Sequence, residues 1–517
     1  MCQPPAENVV REMLGPLLPE DVAIDKVRLL PSDRPLRVHQ VLLSDGRTLH
    51  LVLPPVSMWR PLRAEQDMLA SEAVTVRWVR QALARGDPDA GEKTSRSPLK
   101  PGPAATILPL VPNLLRRGQG SHLPDSFAVY EPIRGTSLSL LPTQPTPASQ
   151  REIDRQLGGL FRSLATLTAP TNRFGPLAAV IGGDTPEPAH PLGEGAARIL
   201  KGLMEGGLSA TGGAGAWSVA FHSMLEGVLR DGEDMAVVIP YPTIRKHFRR
   251  LGYLLDEVTI PRLVVVEGAG EANVLVANVL VAEEGERKGD ERDGKPEEKG
   301  VGGSEHAMGD SRGEEPEHGN GAGRRLDKEK GPPGPKQEKE ETNKEEQQRV
   351  QQQEQQRHQH QQQQQQVLKL TGLRDWSSAI FGDPLLATIF SDPVGHKQPP
   401  SSAFLEGFNA EDLNHDSGHD PGARHLPYPL DHTIIQGVDT AWIRILFYKV
   451  YHTVTRIVGE FYRPRPDSSA RELEARRQLN GVLAKLAEVS EDAKKRHPRP
   501  TGEMSPAKRL RAADDGQ

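Results

Sequence analysis

Between Val276 and Val367 the chain carries a block that cannot help build a folded core. Residues 283–366 are dense in Glu, Lys, Gly and Gln, have almost no aromatic or β-branched residue, and end in a Gln/His tract from Gln351 to Gln366. Such a segment buries too little apolar surface to offset its ordering entropy, so it is expected to be disordered. Its position is the constraint. The apolar runs that end at Val276 and resume at Val367 read as adjoining strands of one hairpin. The block is then an insertion at a hairpin tip rather than a linker between domains. Tips tolerate such length because loop-closure entropy grows only slowly. The folded part must be assembled from what lies before residue 277 and after residue 366.

Composition narrows the class. A chain of 517 residues suggests about two to four domains. Only 36% of it is hydrophobic, but much of the polarity sits in the one block, so the rest can bury a core. The net charge of −6 supplies no basic field for a nucleic-acid partner. The single cysteine, Cys2, excludes an internal disulfide and a thiolate cluster, which fits a reducing compartment. The N-terminus has no basic-then-apolar signal pattern, and no apolar run is long enough for a transmembrane helix. These features read as a soluble cytoplasmic protein without a membrane partner. Lys494-Lys495-Arg496 and PAKRLR, with Lys508, Arg509 and Arg511, form a basic tail. It reads either as a short nuclear-import signal or as a solubilising tail.

Periodicity sketches the elements. Val9, Met13 and Leu17 begin a helix. VHQVLL and RTLHLVL, around Ser44-Asp45-Gly46, are a strong hairpin signal. Residues 61–83 read as a helix, 86–104 as a loop, and ATILPLVP and FAVYEPIRG as two further strands. Ile153, Leu157, Leu160, Phe161, Leu164 and Leu167 mark a helix over 149–168. Helices follow from Trp217 to Leu229 and from Thr243 to Leu255, then two short strands around a Gly-rich turn in PRLVVVEGAGEANVLV. After a polar loop at 393–430, an aromatic-rich helix spans 436–464 and an amphipathic one spans 468–488. No tandem repeat is present.

The densest motif is LTGLRDWSSAIFGDP, residues 370–384. An apolar run leads into Thr371-Gly372, Asp375 follows, and Gly382-Asp383-Pro384 closes it. A carboxylate just past a buried strand is where kinase-like folds hold the metal of a nucleotide. The stretch resembles the "ITGLIDWE…GDP" signature of the aminoglycoside phosphotransferase family, in its filamentous-fungal branch. PLRAEQDMLASEAV, VYEPIRGTSL, QLGGLFRSLATLTAPTNRFG and FYKVYHTVTRIVGEFYR resemble further stretches of that family, in the same order. The resemblance implies an α+β, protein-kinase-like two-lobe fold with a long disordered insertion. The lobes would divide as a small β-rich N-lobe (1–130) and a mainly helical C-lobe in two parts (131–276 and 367–492). The insertion would span 277–366, and a disordered basic tail 493–517.

The resemblance also implies a site. Asp375 and Asn273 would hold Mg²⁺. Glu72, with Glu131 and Ile133 of the hinge, would belong to the ATP site. Glu267 would be the base, because PRLVVVE matches the family's "PRLVLWD" with Glu for Asp. Counting back from Asn273 puts the base at Gly268 instead, so the two counts differ by one residue. Asp383, before Pro384, is read as fixing a turn. The hairpin strand LHLVLPP carries no lysine, leaving Glu72 without an evident partner, and Arg47 or Arg63 would have to substitute. SDRPLRVHQ offers no Gly-rich phosphate loop. Asp412, His415, Asp416, His419 and Asp420 include an HxxxH spacing, but Gly418 and Pro421 oppose the helix a zinc site would need. Two functions follow. One is a degenerate kinase-like protein with weak or lost phosphotransfer and no required cofactor, working with protein partners through its insertion. The other is an ATP- and Mg²⁺-dependent phosphotransferase acting on a small hydroxylated molecule.

Overall fold

The computed structural model describes residues 5–31, 34–56, 60–85, 107–119, 126–182, 212–280, 366–392, 400–409 and 430–489. The chain divides into one unit of residues 1–278 with 368–517 and a second of residues 279–367. Apart from the strand ends at 279–280 and 366–367, the second unit, which holds the expected disordered insertion, lies outside the described residues. So do the expected loop at 86–104, the cluster from Asp412 to Asp420, and the tail with Lys508, Arg509 and Arg511.

The first unit begins with a short helix, α1 (Glu7–Leu14), and the strands β1 (Ile24–Leu29), β2 (Arg37–Leu43) and β3 (Thr48–Leu53). Gly46, at φ +82°, lets the chain turn tightly between β2 and β3. Helix α2 (Met68–Arg85) precedes β4 (Asn113–Gln119) and β5 (Ser126–Glu131). The five strands form one antiparallel sheet in the order β1-β2-β3-β5-β4. Alternation along the strands decides what each face buries. Val41, Leu43, Leu49, Leu51, Phe127 and Val129 pack with Val10, Met13 and Leu14 of α1. Val38, Val52, Ala128 and Tyr130 face the other way, into the core shared with Leu69, Val76 and Val79 of α2. The strand expected over 105–112 is absent. Leu108–Leu110 is a 3-10 turn and the strand starts at Asn113. Pro109 and Pro112 have no N–H to give a ladder.

The chain leaves the sheet through β6 (Thr136–Ser137) and becomes mainly helical. Helix α3 (Pro147–Ala165) starts at Thr146, whose hydroxyl accepts from the Ser149 N–H. Then come β7 (Gly175–Pro176), α4 (Leu177–Ile181), α5 (Trp217–Asp234), α6 (Tyr241–Leu251), β8 (Arg262–Val265) and β9 (Val274–Leu280). Strands β10 (Gln366–Leu373) and β11 (Ala379–Gly382) are followed by α7 (Ser402–Phe408), α8 (Val438–Tyr462) and α9 (Ser468–Glu488). Two small sheets carry the strands of this part, in the orders β10-β9-β6 and β7-β11-β8. A β-rich lobe followed by a mainly helical one is the two-lobe fold expected from the sequence.

One buried network holds β11 to α8. Asp383 accepts from Arg444 Nε at 2.9 Å, from Tyr448 OH at 2.7 Å and from the Leu385 N–H at 3.1 Å. Trp217 Nε1 donates to Tyr448 OH at 2.8 Å, tying in α5. Asp383 thus fixes the turn after β11, the role read for it from the sequence.

Candidate functional site

Strand pairing brings the expected residues together. Glu267 and Asn273 lie in the turn between β8 and β9, and Asp375 lies just past β10. Because β9 neighbours β10 and β8 pairs with β11, both turns emerge at one edge. The Gly-rich turn is folded on itself: the Gly270 N–H donates to the Glu267 carbonyl at 3.3 Å and the Asn273 N–H to the Gly270 carbonyl at 2.8 Å. Asn273 then clasps the turns to each other. Its Nδ2 donates to the backbone carbonyls of Glu267 (3.3 Å) and Asp375 (3.1 Å), and its Oδ1 accepts the Asp375 N–H.

The residue that sequence reading missed is Arg34, in the connection between β1 and β2. Its Nε lies 2.9 Å from Asp375 Oδ2, its Nη2 donates to Glu72 Oε2 at 2.7 Å, and its Nη1 donates to the Arg374 carbonyl at 3.1 Å. Glu72 is therefore a buried helix residue, not a solvated one. Through Arg34 it ties α2 to the Asp375 turn. Neither expected substitute for the lysine is present at the site. Arg47 pairs with Asp45 beside it at the hairpin tip, and Arg63 pairs with Asp231 and Asp234 of α5. Local hydrogen bonding and a nearer carboxylate pair hold them elsewhere. The sequence signal for Arg34 was its place in SDRPLRVHQ, the stretch where a phosphate loop was sought.

Arg34, Glu65, Glu267, Asn273, Asp375 and Arg463 help line one cleft of about 340 Å³. Glu131 and Ile133 are not among its lining residues. Glu131 is exposed at the end of β5 and accepts from Asn113 Nδ2 at 3.2 Å. Ile133 packs against Gly372, where a Cβ would come within 2.8 Å of its Cδ1. The structure thus gathers Glu267, Asn273 and Asp375, connects Glu72 to them through Arg34, and leaves Glu131 and Ile133 outside that cleft.

The electrostatics follow from crowding. Burial alone would lower the Arg34 pKa, but Asp375 and Glu72 outweigh it and hold the guanidinium charged. Burial, opposed by Arg34 and reinforced by Asp375, pushes the Glu72 carboxyl up to about 7. Glu267 is exposed at the cleft, so solvent screens part of any shift its neighbours cause. Desolvation, with Asp375, Glu65 and Asp392 nearby, pushes its carboxyl up to about 7 as well.

Whether magnesium suits this site depends on the donors. Mg²⁺ takes hard oxygen ligands and is commonly held by one or two protein groups plus phosphate oxygens and waters. Asp375 and Asn273 carry oxygens of that kind, although Asn273 Oδ1 already accepts the Asp375 N–H and an ion would have to share it. Among the described residues no three His, Cys, Asp or Glu side chains form a cage for a metal. The donor set therefore fits an ion shared with a phosphate chain. Arg34 already offsets the Asp375 charge, and the ion would have to replace it there.

No protein-family model and no curated protein matches the chain. Among solved structures, a thermostable mutant of an aminoglycoside phosphotransferase in ternary complex with ADP and hygromycin B superposes with a TM-score of 0.44 at 10% identity. That match covers 94% of this chain and 99% of the other. A Thermobifida fusca YX-ER1 protein assigned as a fructosamine-3-kinase gives 0.42 at 12% identity, covering 92% and 100%. An aminoglycoside phosphotransferase in a streptomycin–ATP ternary complex gives 0.39 at 9% identity, covering 92% and 97%. Superpositions at this level do not fix an activity for this chain. Among the described residues no helix is long and apolar enough to cross a membrane.

Proposed function

We propose that this chain is a kinase-like protein of the aminoglycoside phosphotransferase kind. In this reading its cleft takes up the phosphate chain of a nucleotide such as ATP, and phosphotransfer to a small hydroxylated acceptor is weak or lost. One observation carries the reading: the Arg34 guanidinium bridges Glu72 of α2 and Asp375. A phosphoryl-transfer site needs a cation paired to a helix carboxylate and placed beside the metal carboxylate. Arg34 supplies that cation from a different element than the expected lysine. A guanidinium also recognises phosphate oxygens through a planar fork of donors.

Two features favour weak or lost turnover. Asp375 is committed to Arg34, and the base position carries a glutamate in a turn with Gly268 and Gly270. A misplacement of about 1 Å can cost on the order of a hundredfold in rate. A second reading, an active Mg²⁺-dependent phosphotransferase, is favoured by Glu267 itself. Its carboxyl, raised to about 7 and lining the cleft, is suited to accept a hydroxyl proton near neutral pH. In that case Asp375 and Asn273 would hold the magnesium, which when bound offsets charge on the phosphate oxygens. Asn273 would keep the Glu267 and Asp375 turns in register, and Arg34 would anchor the phosphate chain.

A thermal-shift titration with Mg·ATP tests the shared premise. A ligand at a hundred times its dissociation constant should stabilise the fold by roughly 2.7 kcal/mol. No shift at millimolar Mg·ATP sinks both readings. A shift without phosphate release or transfer supports the first, and transfer abolished by Glu267→Gln supports the second.

A further inference from the structure

The triad has a firm end and a loose end. Glu72 is buried, does not line the cleft, and pairs with Arg34 at 2.7 Å. Asp375 and Arg34 both line the cleft, so their contact stands where a ligand enters. The other Asp375 oxygen is fixed by the Ser377 N–H at 2.8 Å. On the cleft side the Asp375 oxygen Oδ2 is the one that Arg34 faces. As placed, a guanidinium occupies the position a cation would take on Asp375. A bare divalent ion would have to approach a carboxylate whose charge is already matched, with a fixed positive charge beside it.

We infer that Arg34 is an exchangeable counter-cation. It closes Asp375 to a free divalent metal ion, and the phosphate chain of a nucleotide opens Asp375 by drawing the guanidinium onto itself. This rests on the reading of the cleft as a nucleotide-phosphate site. The consequence is linkage. Metal and phosphate chain bind cooperatively, and each raises the affinity of the other by the same factor. The Glu72 contact keeps Arg34 tethered during the exchange, so the cation moves between two acceptors without leaving the site.

The test uses the full chain and Mn²⁺ alone, followed by electron paramagnetic resonance. Wild type is expected to bind Mn²⁺ poorly. Arg34→Gln should bind it at least about tenfold more tightly, since it removes the positive charge beside the carboxylate. Asp375→Asn added to Arg34→Gln should remove the gain. Equal Mn²⁺ binding by wild type and Arg34→Gln overturns the inference, as does a gain that survives loss of Asp375. Should Arg34→Gln not fold, Arg34→Lys gives the same reading. A single ammonium cannot span both carboxylates, so an intermediate gain is expected, and no gain counts against the inference. A parallel titration with ATP in EDTA separates the premises. Absence of ATP binding with a gain in Mn²⁺ affinity rejects the nucleotide reading. ATP binding with no gain in Mn²⁺ affinity rejects the counter-cation.

Discussion

Asp375 and Asp383 stand on either side of the same short strand, β11, and each meets an arginine. The chemistry of the two pairs is alike, but their surroundings are not. Asp383 is 1% exposed and Arg444 is fully buried, and the arginine comes from the middle of a long helix. Every Asp383 contact comes from a fixed element: α8, the Leu385 N–H, and Tyr448 held in turn by Trp217. Asp375 and Arg34 are 14% and 10% exposed, and the arginine comes from a connection between strands. Their contact lines an open cleft. One kind of ion pair thus serves two purposes. Enclosed on all sides it is an anchor that sets the end of β11. Open on one side it can be traded for a ligand.

The contrast predicts a graded series. Asp383→Ala should be the most damaging change, costing roughly 3–5 kcal/mol, because it leaves a buried guanidinium without its carboxylate. Chemical denaturation would show this, and a loss under about 1 kcal/mol would mean the network is not the anchor described. Arg34→Gln should cost less, about 1–3 kcal/mol for under-satisfied buried acceptors. It should also remove most of the Mg·ATP thermal shift, whereas a fully retained shift would separate Arg34 from ligand binding.

The open pair should also respond to pH through Glu72. Its carboxyl is raised from an ordinary 4.5 to about 7, so the folded state prefers the proton. Stability from this group is present in full below about 4.5 and is lost as pH rises through about 7. The loss should amount to on the order of 3 kcal/mol and flatten in Glu72→Gln, as read by denaturation at pH 4.5, 6 and 7.5. An unchanged slope in that variant would place the effect on another group. The smallest stability effect is expected for Glu267→Gln, within about 0.5 kcal/mol, because the side chain opens to the cleft. If the protein transfers phosphate, that variant should abolish transfer while leaving the melting curve in place.

Much of the scaffold was legible from period alone. The stripe from Ile153 to Leu164 marked α3, and VHQVLL and TLHLVL around Asp45-Gly46 marked a hairpin whose alternation splits two cores. Helix α9 falls on the expected 468–488. The strand expected over 105–112 failed because its apolar residues were read without weighing Pro109 and Pro112. In the site, Asp375, Asn273 and Glu267 were legible because each sits at the end of a recognisable strand. Arg34 was not. It lies in a connection, and its value comes from three groups brought in by α2 and the Asp375 turn, contacts that no local pattern encodes. The partner of Glu72 was not legible for the same reason: with no lysine on β3, nothing local points to Arg34 as its counter-charge.

Arg34 is the proposed phosphate-binding cation of this cleft. Calorimetric titration of ATP into wild type and Arg34→Gln tests it most directly. Wild type should bind measurably and the variant at least about tenfold more weakly, in keeping with a lost charge-assisted contact. Equal affinity in the two proteins would contradict it.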